Sequence, residues 1–278
     1  MAKSFLLAFI GGSGLYQIED LKNQKWINVK TPWGSPSDRI LSGTVNNNKV
    51  LFLPRHGRSH IYNPSEINYR ANIYALKKLG ATDIISLSAC GSLKENLPPG
   101  TFVLVDQFID KTITRKKTFF EGGIVTHVSM ANPTSKLIRS ACVEVLKKLK
   151  IKHQNKGTYI AMEGPQFSTK AESESYRKQK IDVIGMTNMP EAKLSREAEI
   201  RYCSIAMVTD YDCWHQEHES VNLEMVINTM KENTLKSKKF IESISNDYHN
   251  SIDFSQDKTQ NILDTSIITH RTSWEKEI

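Results

Sequence analysis

The chain reads as a single α/β domain, and three features say so. Short apolar runs that look like buried strands alternate with stretches of helical spacing along most of the sequence. Several of those runs stop abruptly in glycine-rich or polar turns, as strands do where they open into the ligand crevice of such a sheet. No internal repeat or linker divides the 278 residues, a length ample for one sizeable core.

Composition narrows the function classes. With 39% hydrophobic and 24% charged residues the chain is neither disordered nor fibrous. No run approaches the roughly 18 apolar residues of a membrane span. The apolar stretch 5–10 is short and enters a glycine turn where a cleavage site would be needed, so we read no signal peptide. Cys90, Cys142, Cys203 and Cys213 are scattered without a CxxC pair, so we expect free thiols in a reducing cytoplasm, with no metal site. The formal charge is +7, yet clusters such as Arg115-Lys116-Lys117 and Lys147-Lys148 are short. We read them as solvated faces and expect no nucleic acid or membrane partner; a basic background instead favours a small anion.

In chain order, the strand at 5–10 delivers Gly11-Gly12-Ser13-Gly14, where backbone can approach an anion and Ser13 adds a hydroxyl. The helix of a dinucleotide fingerprint does not follow. Stretches 39–45 and 49–54 flank Asn46-Asn47-Asn48, a hairpin signal, and the second runs into Arg55-His56. That pair offers a bidentate anion clamp and a second donor. Helical spacing over 69–79 stops at Gly80, a suitable residue just past a helix end. The strand at 83–87 ends in the small-residue turn Ser88-Ala89-Cys90-Gly91-Ser92. After the strand at 102–105, the charged stretch 111–125 reads as a mobile loop, with His127 just beyond.

A helix at 135–149 and a strand at 157–161 lead to Glu163-Gly164-Pro165-Gln166-Phe167-Ser168. A helix at 171–178, a strand at 183–186 and a helix at 191–199 follow, with Met186-Thr187 at the strand end. The strand at 202–208 ends in Thr209-Asp210-Tyr211-Asp212, two carboxylates two residues apart that project to one side if the chain stays extended. A helix at 221–241 carries Leu223, Val226, Ile227 and Met230 on one face. We divide the chain into a domain of residues 1–250 and a polar tail of residues 251–278, expected to pack back on the active site; its one apolar island is 263–268.

Sorted by chemistry, the strand ends give two sets. Ser13, Arg55, His56, Ser88 and Thr187 are donors suited to an oxyanion. Asp210 and Asp212 can accept from an amino group or, when protonated, donate to a ring nitrogen. The motifs Gly-Gly-Ser-Gly (11–14), Arg-His-Gly-Arg (55–58), Asn-Tyr-Arg-Ala-Asn (68–72), Ala-Cys-Gly-Ser (89–92), Glu-Gly-Pro-Gln-Phe-Ser (163–168), Met-Thr-Asn-Met-Pro-Glu (186–191) and Thr-Asp-Tyr-Asp-Cys-Trp (209–214) make the chain resemble the methylthioadenosine phosphorylases of the trimeric purine nucleoside phosphorylase family.

That resemblance implies a twisted, mixed but mostly parallel sheet flanked by helices, and phosphorolysis of S-methyl-5′-thioadenosine to adenine and 5-methylthioribose 1-phosphate. Phosphate is then a co-substrate and no cofactor is expected. Implied phosphate positions are Ser13, Arg55, His56, Ser88, Ala89 and Thr187. Met186 would lie along the ribose, Phe167 would stack on the base, and Asp210 and Asp212 would meet the purine edge as the catalytic acids. His60 and His127 would sit near the 5′ side, His127 reaching in from a neighbouring subunit of a homotrimer. Leu223 and Ile227, one helical turn apart, would line an apolar 5′ wall, and Ile268 matches a residue closing that pocket. A phosphorylase for 6-oxopurines is the alternative; it would favour Asn where this chain has Asp210.

Overall fold

The computed structural model describes residues 5–12, 14–15, 17–215, 223–255 and 257–270. Its centre is a long strand, β5 (Asp83–Ser92). Strands β1 (Leu7–Gly11) and β11 (Arg201–Asp210) flank β5 in parallel, and all five residues of β1 and all ten of β11 are buried. Burial on both faces is why these strands read as continuous apolar runs instead of alternating ones. Beyond β1 lie β4 (Asn48–Pro54), parallel to it, then antiparallel β3 (Ile40–Val45) and β2 (Lys22–Ile27). The β3–β4 hairpin turns on Asn46 and Asn47, with φ of 48° and 66°, the doubly left-handed turn that matches strand twist.

Beyond β11 lie antiparallel β6 (Phe102–Val105) and the two-residue β8 (His153–Gln154). A branch leaves the end of β5: β10 (Val183–Gly185) pairs antiparallel with Gly91 and Ser92, followed in parallel by β9 (Thr158–Ala161) and β7 (Gln107–Asp110). The sheet is therefore mixed, with parallel pairing at its centre, as expected. Where a turn was expected at 88–92, β5 runs on as strand, because β11 and β10 supply it with partners.

Helices cover both faces. α2 (Lys136–Lys148) and α5 (Leu223–Ser251) pack on one, through Ile138, Cys142, Leu146, Phe240, Ile241 and Ile244. α1 (Tyr69–Lys78) and α4 (Asn188–Glu197) pack on the other, through Ile73, Leu76, Ala192 and Leu194. α3 (Lys170–Lys178) begins with a reciprocal capping box between Thr169 and Glu172. The tail leaves α5, and Phe254 stacks on Arg201 at the start of β11, the end remote from Asp210, with the guanidinium 3.7 Å from the ring centroid. A 3-10 helix (Thr259–Thr265) then crosses α4, and Ile267 bridges to Thr126.

Candidate active site

The strand ends gather two polar sets. On the first side, the Arg55 N–H donates to Gly11 O at 2.9 Å, tying the end of β4 to the glycine turn after β1. The guanidinium is 1% exposed. Its Nε and Nη2 donate to the two oxygens of Glu191 at 2.8 and 3.1 Å, and Nη2 and Nη1 also reach Ser86 Oγ (2.6 Å) and Leu87 O (3.1 Å). Burial opposes the charge on Arg55, but the Glu191 carboxylate more than compensates and raises its pKa. The bidentate clamp expected for an anion thus closes on Glu191, whose buried carboxylate needs that planar fork. Among the described residues, one Nη1 hydrogen has no acceptor.

Glu191 anchors a wider network. Ser86 Oγ and Tyr202 OH donate to its Oε1 at 2.6 and 2.8 Å. Asn188 Nδ2 donates to Tyr202 OH (2.8 Å) and Ser204 Oγ (3.0 Å), and its Oδ1 accepts from Ser88 Oγ at 3.0 Å. The Ser88 hydroxyl is therefore spent on Asn188 and must rotate to serve an anion. Thr187, at the start of α4, is buried and makes no capping bond; Ala89 is half-buried.

His56 Nδ1 lies 2.9 Å from Tyr62 O, and its ring stacks on exposed His60, centroids 4.2 Å apart. Burial, aided by the neighbouring Arg55 charge, lowers the His56 pKa to about 4. A neutral imidazole facing a carbonyl carries its proton on Nδ1 and leaves Nε2 an acceptor. The second donor expected here exists only once His56 is protonated, a form that an arriving anion favours.

On the second side, β11 slips register against β5 between Val208 and Asp210. The chain then turns, Asp212 having φ of 52°, and the Asp212 N–H donates to Asp210 Oδ1 at 2.8 Å. The carboxylates are thus joined by a turn, not by the alternation of an extended segment. Burial raises the pKa of both. Thr209 Oγ1 lies 2.7 Å from Asp210 Oδ2 and 3.1 Å from Cys90 O. The Thr209 hydroxyl and the Asp212 N–H both favour the charged carboxylate of Asp210, and burial outweighs them. Gly91 makes room: a Cβ there would stand 2.9 Å from Asp210 Oδ1.

The 163–168 segment borders this side. Cys213 Sγ contacts Ser168 O at 3.2 Å, and Phe167 is 52% exposed. Met186 lies over Gly164, whose φ is +68° and where a Cβ would meet Met186 Sδ at 2.5 Å; glycine meets both constraints without strain.

Sequence reasoning missed Arg115. Within a stretch read as mobile, and a cluster read as solvated, its side chain is 1% exposed. It donates to Met186 O, to Met189 O at 2.7 Å, to Glu163 O at 2.7 Å and to Tyr69 OH at 3.2 Å. Glu163 in turn accepts from Ser65 Oγ (2.5 Å), Thr114 Oγ1 (2.6 Å) and the Ile113 N–H (2.5 Å). Burial alone would raise the Glu163 pKa, but these donors bring it to about 2. No periodic signal marks such partners; only the oddity of an Arg between two threonine-rich turns could have pointed to it.

Other expected residues are not gathered by any contact. Ser13 lies outside the described residues, as does the side chain of Leu223. Ile227 is exposed and, with Met230 and Leu235, lines an open groove of ≈440 Å³ on α5. His127 is exposed, its N–H donating to Ser266 O at 2.9 Å. Among the described residues no cluster of His, Cys, Asp and Glu could hold a metal ion.

An α/β sheet with an arginine–hydroxyl set and a protonatable carboxyl set at its strand ends is built for an anion and a heterocycle to meet. The chain belongs to the phosphorylase superfamily, whose family pattern matches residues 6–246. It is 52% identical to an S-methyl-5′-thioadenosine phosphorylase of Rhodospirillum rubrum over 265 residues, 95% of this chain and 90% of that one. A methylthioadenosine phosphorylase from an antarctic soil metagenomic library superposes with a TM-score of 0.89 at 42% identity, covering 98% of this chain and 95% of that one. The Schistosoma mansoni methylthioadenosine phosphorylase in complex with adenine superposes with 0.86 at 33% identity, covering 95% and 99%.

Proposed function

We propose that the chain is an S-methyl-5′-thioadenosine phosphorylase, forming adenine and 5-methylthioribose 1-phosphate. The observation that carries this is the likeness over 95% of the chain to a phosphorylase of that name, at 52% identity. The site fits the chemistry. Breaking the N9–C1′ bond builds positive charge on the ribose and negative charge on the purine. Phosphate held by Ser13, Arg55, protonated His56, Ser88, Thr187 and the backbone at Ala89 stabilises the first and attacks C1′. Asp210, its pKa raised by burial, donates to N7 as general acid, with Asp212 beside it at the purine edge. Met186 flanks the ribose and Phe167 covers the base.

In this reading Leu223, Ile227 and Ile268 make the 5′ side apolar, with His60 and a neighbour's His127 beside it, so a 5′-hydroxyl would lose its partners. We place the protein in the cytoplasm as a homotrimer, acting without a cofactor. No described helix is long and apolar enough to cross a membrane. Support for assembly comes from Val125 and Ile268, hydrogen-bonded neighbours beside His127 that are 50% and 67% exposed. The test is incubation with methylthioadenosine with and without phosphate. Phosphate-dependent adenine release is expected; release that ignores phosphate, or none, would sink the reading.

A further inference from the structure

We propose that Arg115 is the positioning residue that sets the spacing of the nucleoside pocket, holding the 163–168 and 186–189 segments in one relative place. The proposal rests on the reading above, in which Met186 flanks the ribose, Thr187 meets phosphate and Phe167 covers the base.

Both segments are irregular chain, between β9 and α3 and between β10 and α4. One backbone bond, Met162 N to Gly185 O at 2.9 Å, joins their upstream ends. Past it the guanidinium spans the two segments, beside the packing of Met186 on Gly164. Nη2 holds the carbonyl of Glu163, four residues before Phe167. Nη1 holds the carbonyls of Met186, adjacent to Thr187, and of Met189. Nε lies 3.4 Å from Ser65 Oγ, and the group sits 5.5 Å from the Tyr69 ring centroid, which fixes its plane from the α1 side. The nearest carboxylate oxygen, Glu163 Oε1, is 4.0 Å from Nε.

So the hydrogen-bond acceptors of this buried cation are neutral, with the Glu163 carboxylate at ion-pair distance, and burying it so is a cost that an apolar side chain of similar volume would avoid. What a planar fork supplies and an apolar group cannot is a fixed distance between carbonyls on two separate chains. The Glu163 carboxylate closes the same tie from the other direction, by holding Ile113 and Thr114.

If Arg115 positions the pocket, its loss lets the ribose and phosphate strip drift relative to the base strip. Misplacement of about 1 Å can cost about 10²-fold in rate. The test is steady-state kinetics with both methylthioadenosine and phosphate varied, on wild type, Arg115→Met and Arg115→Lys. Lys116→Met is the control, since Lys116 is exposed and pairs only with Glu121 at 3.2 Å. For Arg115→Met we expect kcat/KM for the nucleoside to fall roughly 10–100-fold, with KM raised for both substrates. Arg115→Lys keeps the charge but offers one ammonium that cannot span the three carbonyls, so it should remain impaired and carries the measurement if Arg115→Met does not fold. Added guanidinium ion at a non-denaturing concentration should restore activity to Arg115→Ala several-fold.

A purely structural role would lower the melting temperature of the Met and Lys variants, leave both KM values within about twofold of wild type, and give no guanidinium rescue; that pattern overturns the proposal. An inactive wild type would overturn the functional reading and this proposal with it, whereas an active wild type with unaltered Arg115 variants overturns this proposal alone.

Discussion

At the scale of single residues, the site works through groups whose burial changes their proton affinity. Asp210 is the sharpest case. Its raised pKa keeps the acid form to a higher pH than an ordinary carboxyl would allow, so turnover should decline as pH rises through that pKa. Asp210→Asn keeps the shape but cannot deliver a proton. Turnover on methylthioadenosine is expected to fall on the order of 10²–10⁴-fold, with a relative gain on methylthioinosine because the amide can donate to a 6-oxo group. Parallel loss on both substrates would move the role to Asp212. Stability should follow the same direction: a folded-state pKa above the unfolded one favours folding at low pH, and that contribution is lost as pH rises through the folded value. Any melting-temperature advantage of Asp210→Asn should therefore grow with pH. Arg55 tests a different balance. Arg55→Ala strands the buried Glu191 carboxylate, which should cost about 3–5 kcal/mol in chemical denaturation as well as raising KM for phosphate. Arg55→Met with Glu191→Gln should recover much of that stability and none of the phosphate affinity. Recovery of both would mean that Arg55 matters only to the fold.

At the scale of elements, the connections matter more than the strands. The 111–119 stretch has no regular structure, yet Arg115 and Glu163 fasten it to both neighbouring loops. Glu163 makes this fastening sensitive to acid. Its pKa, about 2 against an ordinary 4.5, means that its contribution to stability is fully present above the ordinary value and disappears as pH falls through about 2. The melting-temperature difference between wild type and Glu163→Gln should be clear at pH 7, shrink below about pH 4.5 and vanish near pH 2. A difference that holds constant across that range would show that the Glu163 bonds do not depend on its charge. The hairpin and the strand ends follow simpler rules: Asn46 and Asn47 accept left-handed backbone, and Gly91 leaves the space that the Asp210 carboxyl fills.

At the scale of the whole molecule, the exposed pair Val125 and Ile268 beside His127 makes the proposed homotrimer testable: light scattering after size exclusion should return three times the chain mass of 31.6 kDa, and a monomer that turns over at full rate would exclude a shared site. How much of this was legible in the sequence depended on how local each signal was. The buried runs of β1, β5 and β11 announced themselves because both faces are apolar, and the polar strand ends supplied the candidate site residues. β2 stayed hidden because Lys-Asn-Gln-Lys-Trp-Ile lies exposed on the sheet edge and shows no alternation. α5 was cut short because its polar final turns continue past residue 241 to Ser251. The partners of Arg55 and Arg115 were illegible: Glu191 lies 136 residues from Arg55, and Met189 74 from Arg115. Such distances are set by the sheet, not by neighbours in sequence. The sheet also sets the order in which the molecule can come apart. β5 is sandwiched by β1 and β11 and then by β10 and β11, so its amides should be the last to exchange with deuterium, opening only when everything opens. Ser86 and Ser88 ride on that strand, whereas past residue 162 the hydrogen bonds that hold the backbone of the 163–168 segment among the described residues run to side chains. Residues carried on the central strands, Ser86, Ser88 and Asp210 among them, should open only with the whole molecule, whereas the 163–168 segment should open on its own while the rest stays folded.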